Sequence, residues 1–97
     1  MEYGNIVALL RALVALADEL HFGRAARRLY LSQPALSRRI AALERVVGCQ
    51  LVRRSTHSVE LTRAGDALAQ RARPALAALA DAVAAARSAT NAPSSAR

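Results

Sequence analysis

The sequence of 97 residues predicts a mainly α fold, with three short helices and a two-stranded β-hairpin followed by one long helix. Three observations carry that expectation. Apolar residues recur at three- and four-residue spacing through the first half of the chain. The run from Phe22 to Leu51, FGRAARRLYLSQPALSRRIAALERVVGCQL, reads as two short helices joined by a tight turn, the second opening on Ser32-Gln33-Pro34. From Thr62 the chain turns alanine-rich, and Leu68, Ala72, Leu76, Leu79, Val83 and Ala86 follow spacings of 4, 4, 3, 4 and 3. Together these describe a helix-turn-helix with a β-wing and a helix built to meet another helix.

The first helix is placed at about Asn5 to Glu19, because Ile6, Leu9, Leu10, Leu13, Val14, Leu16, Ala17 and Leu20 share one face and Asn5 can cap its start. Gly23 resets the chain. A second helix then runs from about Gly23 to Tyr30, with Arg24, Arg27 and Arg28 on its outer side and Phe22 as a core plug. Ala25 and Ala26 are small enough for two helices to cross closely, and Leu29 and Leu31 fill the angle between them.

The third helix is expected at about Gln33 to Val47. At 100° per residue, Leu36, Ile40, Leu43 and Val47 cluster on one face, with Pro34, Ser37, Arg38, Ala41 and Arg45 opposite. An apolar stripe opposite a small, polar and basic one suits a helix that packs on a core and enters a major groove. Ser32 can cap it, Pro34 sits in the first turn where a missing N–H costs nothing, and Gly48 can end it.

After Gly48, the segment QLVRRSTHSVELT reads as two extended runs around a polar tip, with Leu51, Val59 and Leu61 pointing inward. This is the expected wing. A narrow minor groove attracts inserted arginine, which suits Arg53 and Arg54 beside the tip. An ion pair with Glu60 or Glu44 is the alternative role for Arg54. Thr62 caps the long helix, and Pro74 should bend it by removing the bond to the Gln70 carbonyl. The apolar seam Leu68, Ala72, Leu76, Leu79, Val83 and Ala86 has no long upstream element to cover it, so a second copy of the same helix is the expected cover. The expected divisions are residues 1–61 for the winged domain, 62–89 for the dimerisation helix and 90–97 for a disordered tail.

Composition agrees with this layout. Alanine accounts for 24 residues, so the core of larger apolar side chains is modest and burial against a partner would help. Fourteen arginines and no lysine stand against seven acids, giving a net charge of +7. Such a surface favours polyanions, and arginine grips phosphate or guanine in a bidentate way that lysine cannot. The single cysteine, Cys49, and the distant His21 and His57 give neither a disulfide framework nor metal-ligand spacing. No metal or cofactor is expected. The start MEYGN lacks a secretory pattern and no apolar run is long enough to span a bilayer, so a cytoplasmic protein without a membrane partner is expected.

Residues from about Leu10 to Arg87 resemble the N-terminal DNA-binding domain and linker helix of LysR-type transcriptional regulators. The resemblance rests on Asp18-Glu19, Phe22, Ala25, Ala26, Leu29, Ser32 to Ser37, Ile40, Leu43-Glu44, Gly48, Leu51, Arg54, Leu61-Thr62 and Ala64-Gly65. It implies a winged helix-turn-helix homodimer that binds double-stranded DNA at an inverted repeat and regulates transcription. On the same basis Gln33 and Pro34 contact base edges, Ser32, Ser37 and Arg38 contact bases or phosphates, and Arg54 belongs to the wing contact. Arg53 and Arg24 complete the candidate DNA-binding set.

The sequence departs from the family pattern at Val52, where Phe is usual, at the Thr56-His57-Ser58 tip, and at Gly23, where Ser or Thr is frequent. Family members also carry a large effector-binding domain after the linker helix. These residues include none, so no small-molecule effector site is expected in this chain, which is read as an excised domain or a naturally short regulator. The competing function is a dimerisation module that pairs with full-length regulators through the long helix. An enzyme is not expected, since no nucleophile, base and oxyanion donor converge.

Overall fold

The computed structural model describes residues 5–91, and the expected tail beyond Asn91 lies outside them. Three helices come first: α1 (Ile6–Glu19), α2 (Phe22–Arg28) and α3 (Gln33–Val47). A hairpin of β1 (Val52–Arg54) and β2 (Val59–Leu61) leads into α4 (Arg63–Asn91). The architecture is the mainly helical winged helix-turn-helix with a long terminal helix.

α1 begins at Asn5 as anticipated, but the Asn5 side chain makes no capping bond. Its apolar face buries Leu9, Ala12, Leu13, Ala15 and Leu16, and it ends at Leu20 in the left-handed region with φ 48°. α2 starts one residue earlier than its glycine suggests because His21 caps it: Nδ1 accepts from the Arg24 N–H at 3.0 Å. Ala25 and Ala26 are almost wholly buried, which lets α2 sit close to both neighbouring helices. The turn into α3 is tight, with Tyr30 at φ 58° and the Leu31 N–H donating to the Ala26 carbonyl at 2.8 Å.

α3 spans Gln33–Val47, with the Ser32 hydroxyl accepting from the Ala35 N–H at 3.2 Å. Gly48, at φ 86°, ends it by donating to the Glu44 carbonyl at 2.7 Å. Leu36, Ile40 and Leu43 are buried, but Val47 is not: it is 44% exposed. The last turn of α3 borders an open apolar groove shared with Ile6, Leu10, Val46 and Leu68, whereas Leu51 enters the closed core.

The hairpin pairs antiparallel, with Val52 opposite Leu61, Arg53 opposite Glu60 and Arg54 opposite Val59. Its root is fastened by three local devices. The Glu44 carboxylate accepts from the N–H groups of Leu51 and Val52 at 2.8 and 3.2 Å, tying β1 to α3. The Thr62 hydroxyl donates to the Gln50 carbonyl at 2.7 Å and accepts from the Gly65 N–H at 3.0 Å, so it caps α4 while holding the strand root. The Leu51 carbonyl, which accepts from the Thr62 N–H, lies so near Gly65 that a Cβ there would stand 2.0 Å from its oxygen.

α4 is 29 residues long, about 43 Å at 1.5 Å per residue, and continues through Pro74 to Asn91, beyond the expected end at residue 89. Its opening turns belong to the core, where Ala69 and Ala72 are buried and Ala64 and Leu68 half-buried. This corrects the expected dimer seam at Ala72, which is only 3% exposed because α4 starts alongside α1; Leu68 stays half-buried on the open groove. Farther along the seam Leu76 is half-buried, and Leu79, Val83 and Ala86 are exposed.

An ion-pair cluster fixes α2 and α4 to the end of α1. Asp18 accepts from Arg28 Nη1 at 3.0 Å and pairs with Arg73, while Glu19 receives Arg24 and Arg28. The Arg73 hydrogen bond holds the Asp18 carboxyl below its ordinary value of 3.8, burial opposes that shift, and Arg28 adds to it. A carboxyl lowered by folding stabilises the fold above its unfolded pKa, and that contribution is lost as pH falls through the lower folded value. Thermal melts from about pH 5 down to about pH 3 should therefore show a smaller loss of melting temperature for Asp18→Asn than for the unmodified chain. Equal losses would remove Asp18 from the acid response.

Candidate nucleic-acid interface

The candidate site is built from the start of α3 outward. The Ser32 cap and Pro34, in the first turn, hold Gln33 and Pro34 at the exposed tip of the helix. One turn on, Ser37 is half-buried and Arg38 exposed. A cleft of about 330 Å³ runs from this tip to the wing, lined by residues that include His21, Phe22, Gly23, Gln33 and Arg54. Gly23 borders Gln33 closely: a Cβ at position 23 would lie 3.2 Å from Gln33 Nε2. The glycine that departs from the family pattern thus leaves room for the Gln33 amide.

Ser55 organises the wing tip. Its hydroxyl accepts from the N–H groups of His57 and Ser58 at 3.2 and 3.1 Å, and its own N–H donates to the Ser58 carbonyl at 2.9 Å. A serine turn therefore closes the hairpin without glycine. Neither Ser55 nor the His21 cap was singled out from the sequence. The only available signal was a small hydroxyl residue at the start of a tip and a side-chain acceptor just before a helix.

Of the eight candidate contact residues, Ser32, Gln33, Pro34, Ser37 and Arg38 share the first two turns of α3 and its cap, and Arg53 projects from β1. Arg24 stands apart. Its Nε donates to Glu19 Oε1 and its Nη2 to the Glu19 carbonyl, both at 3.3 Å, because the acidic end of α1 lies beside the first turn of α2. Arg54 pairs with neither Glu60 nor Glu44, the latter occupied by the root of β1. Instead its guanidinium lies over the Phe22 ring, 3.8 Å from the centroid, and Nη1 donates to Ser37 Oγ at 3.2 Å. Among the described residues Arg38, Arg53 and Arg54 have no acidic partner, and of the three Arg54 lines the cleft.

No group of three His, Cys, Asp or Glu that could hold a metal occurs among the described residues, and none of their helices is long and apolar enough to cross a membrane. Cys49 lies exposed in the bend between α3 and β1.

Residues 7–66, well over half the chain, match the family described as "Bacterial regulatory helix-turn-helix protein, lysR family". The chain is 59% identical over 56 residues to the uncharacterized HTH-type transcriptional regulator YnfL of Escherichia coli (strain K12), covering 58% of this chain and 19% of that protein. It is 51% identical over 71 residues to the HTH-type transcriptional regulator XapR of the same organism, covering 73% of this chain and 24% of that protein. The chain thus spans about a fifth to a quarter of the length of these relatives, which are transcriptional regulators rather than enzymes. Among solved structures, the BenM DNA-binding domain in complex with catB site 1 DNA superposes with a TM-score of 0.85 at 32% identity, over 96% of this chain and 99% of that one. With the acidic pair, the Ser-Gln-Pro helix, the wing and the Thr62–Gly65 cap all in their places, the chain belongs to the lysR family of bacterial regulatory helix-turn-helix proteins.

Proposed function

We propose that this chain is the DNA-reading part of a cytoplasmic lysR-type transcriptional regulator and that it binds double-stranded DNA sequence-specifically as a homodimer. The observation that carries the reading is the exposed tip of α3. Gln33, Pro34 and Arg38 project from one end of a helix whose other face is locked in the core, and the wing stands at its side across an arginine-bordered cleft. A helix so mounted can enter the major groove while the wing follows the neighbouring backbone. Gln33 has the donor and acceptor that match an adenine edge, and Arg38 the charge for phosphate or guanine.

The seam on α4, from Leu76 to Ala86, supplies the dimer contact. In functional terms residues 1–61 carry the reading head and 62–89 the dimer arm, with the turns through Ala72 shared between them. Two copies related by a two-fold axis would present their α3 tips to successive major grooves on one face of the duplex.

A salt series on duplex binding tests the proposal. Affinity should fall with a log–log slope of about −0.9 per phosphate neutralised. Absence of duplex binding at low salt would overturn it. Two substitutions then separate reading from holding. Gln33→Ala should cost about 1–3 kcal/mol on the preferred site and little on random duplex, relaxing one base position. Arg38→Ala, as a phosphate contact, should weaken both duplexes alike and reduce the slope by about one. Equal effects of Gln33→Ala on both duplexes would remove its base-reading role.

A further inference from the structure

Arg54 closes β1, and strand alternation turns its side chain away from the face that carries Arg53 and its cross-strand partner Glu60. On its own face it meets two different elements at once. The guanidinium lies over Phe22 of α2 at 3.8 Å, and its edge donates to the Ser37 hydroxyl of α3 at 3.2 Å. Only a planar cation with donors in its plane satisfies both contacts, since the face stacks while the edge donates.

The contact with Ser37 fixes more than position. A serine hydroxyl has one proton and two lone pairs, and Arg54 occupies a lone pair. The proton must then go elsewhere. Thr90 returns its own to the helix, donating to the Ala86 carbonyl at 3.1 Å, whereas Ser37 makes no such bond among the described residues. Ser37 stands one turn after Gln33 on the reading side of α3, so its proton is available to an acceptor on the DNA.

We propose that Arg54 is a positioning residue: it clamps the wing to the recognition helix and sets the Ser37 hydroxyl as a donor toward DNA, instead of itself entering the minor groove. The inference rests on the DNA-binding reading above. It replaces the sequence-based wing contact for Arg54 and leaves Arg53 and the tip to meet the neighbouring groove. Neither carboxylate that could draw Arg54 away competes, because Glu44 is held by the Leu51 and Val52 amides and Glu60 lies on the other face.

The test compares Arg54→Ala, Arg54→Lys, Ser37→Ala and the Arg54→Ala/Ser37→Ala double variant on a duplex selected by the unmodified chain and on its single-base variants. Arg54→Ala should lose about tenfold in discrimination at the same base pairs that Ser37→Ala relaxes. The double variant should be no worse than either single change, Arg54→Lys should not restore discrimination, and the salt slope should stay as it was. If Arg54→Ala reduced the slope by about 0.9 with discrimination intact, and Arg54→Lys bound as well as the unmodified chain, Arg54 would be a phosphate contact and the proposal would be overturned. Additive single and double effects would overturn it too.

A second readout needs no DNA. Hydrogen exchange at the His57 and Ser58 amides should quicken in Arg54→Ala while amides of α1 keep their rates. Unchanged wing exchange would overturn the clamp. If the unmodified chain binds no duplex at low salt, the DNA-binding reading fails on that result, and the exchange measurement still decides whether Arg54 fastens the wing.

Discussion

Gly65→Ala should lower the melting temperature of the chain by about 10–20 °C, although alanine is the better helix former. In an open helix the change would gain up to about 1 kcal/mol. Here the sign reverses, because the added Cβ would lie 2.0 Å from the Leu51 carbonyl oxygen and 2.9 Å from its carbon. Both are backbone atoms in the strand root, held by the Thr62 N–H and by Glu44, so neither can swing aside as a flexible side chain could. Relief requires α4 to move off the core, which costs about 2–3 kcal/mol in a well-packed domain. At about 4–8 °C per kcal/mol for a domain of this size, the shift is large. Circular dichroism melts at matched protein concentration give the answer, and an unchanged or raised midpoint would mean that the close approach of α4 to Leu51 is wrong.

Leu79→Asp should convert the proposed dimer to a monomer without unfolding either copy. Leu79 and Val83 are 48% and 51% exposed on α4 beyond the last buried turn, so an aspartate there disturbs no core contact within the chain. Between two copies it would place a charge in an apolar seam, where an unpaired carboxylate is strongly unfavourable. The loss spreads to DNA binding because the second α3 tip is no longer tethered to the first. Avidity from linked sites commonly amounts to about 10²–10⁴ in affinity, and that factor should disappear for a two-half-site duplex while binding to a lone half-site changes little. Sedimentation reads the mass and duplex titration the affinity. An unchanged dimer would move the interface off this seam.

The local parts of this fold were legible because their signals lie within a few residues. Ser32, Pro34 and Gly48 bracket α3 at Gln33–Val47, the span expected from their chemistry. The Thr62 cap and the two wing strands follow from similarly short-range cues, whereas α2 stops at Arg28 and leaves Tyr30, its expected end, in the turn. What periodicity could not tell was which neighbour covers an apolar face. Val47 shares the stripe of Leu36 and Leu43 yet stands on an open groove, and Ala72 shares the seam of Leu79 yet is buried against its own chain. Both outcomes depend on where α4 leaves the wing, a path set by the Thr62–Gly65–Leu51 junction and the Asp18–Arg73 pair.

The candidate site divides along the same line. Helical angle puts Pro34, Ser37 and Arg38 on the face opposite the core, whereas Gln33 was assigned from the family resemblance and stands exposed because it begins the helix. Arg24 and Arg54 are placed by contacts with residues five and more positions away, Glu19 for the first and Phe22 and Ser37 for the second. Net charge marks a basic surface but does not say which guanidinium is already engaged.

Selection of bound sequences from a random duplex pool tests the two-fold reader most directly. The result predicted is an interrupted inverted repeat whose half-sites lie about one helical turn, or a multiple of it, apart. Enrichment of a single unpaired half-site, or no enrichment at all, would contradict it.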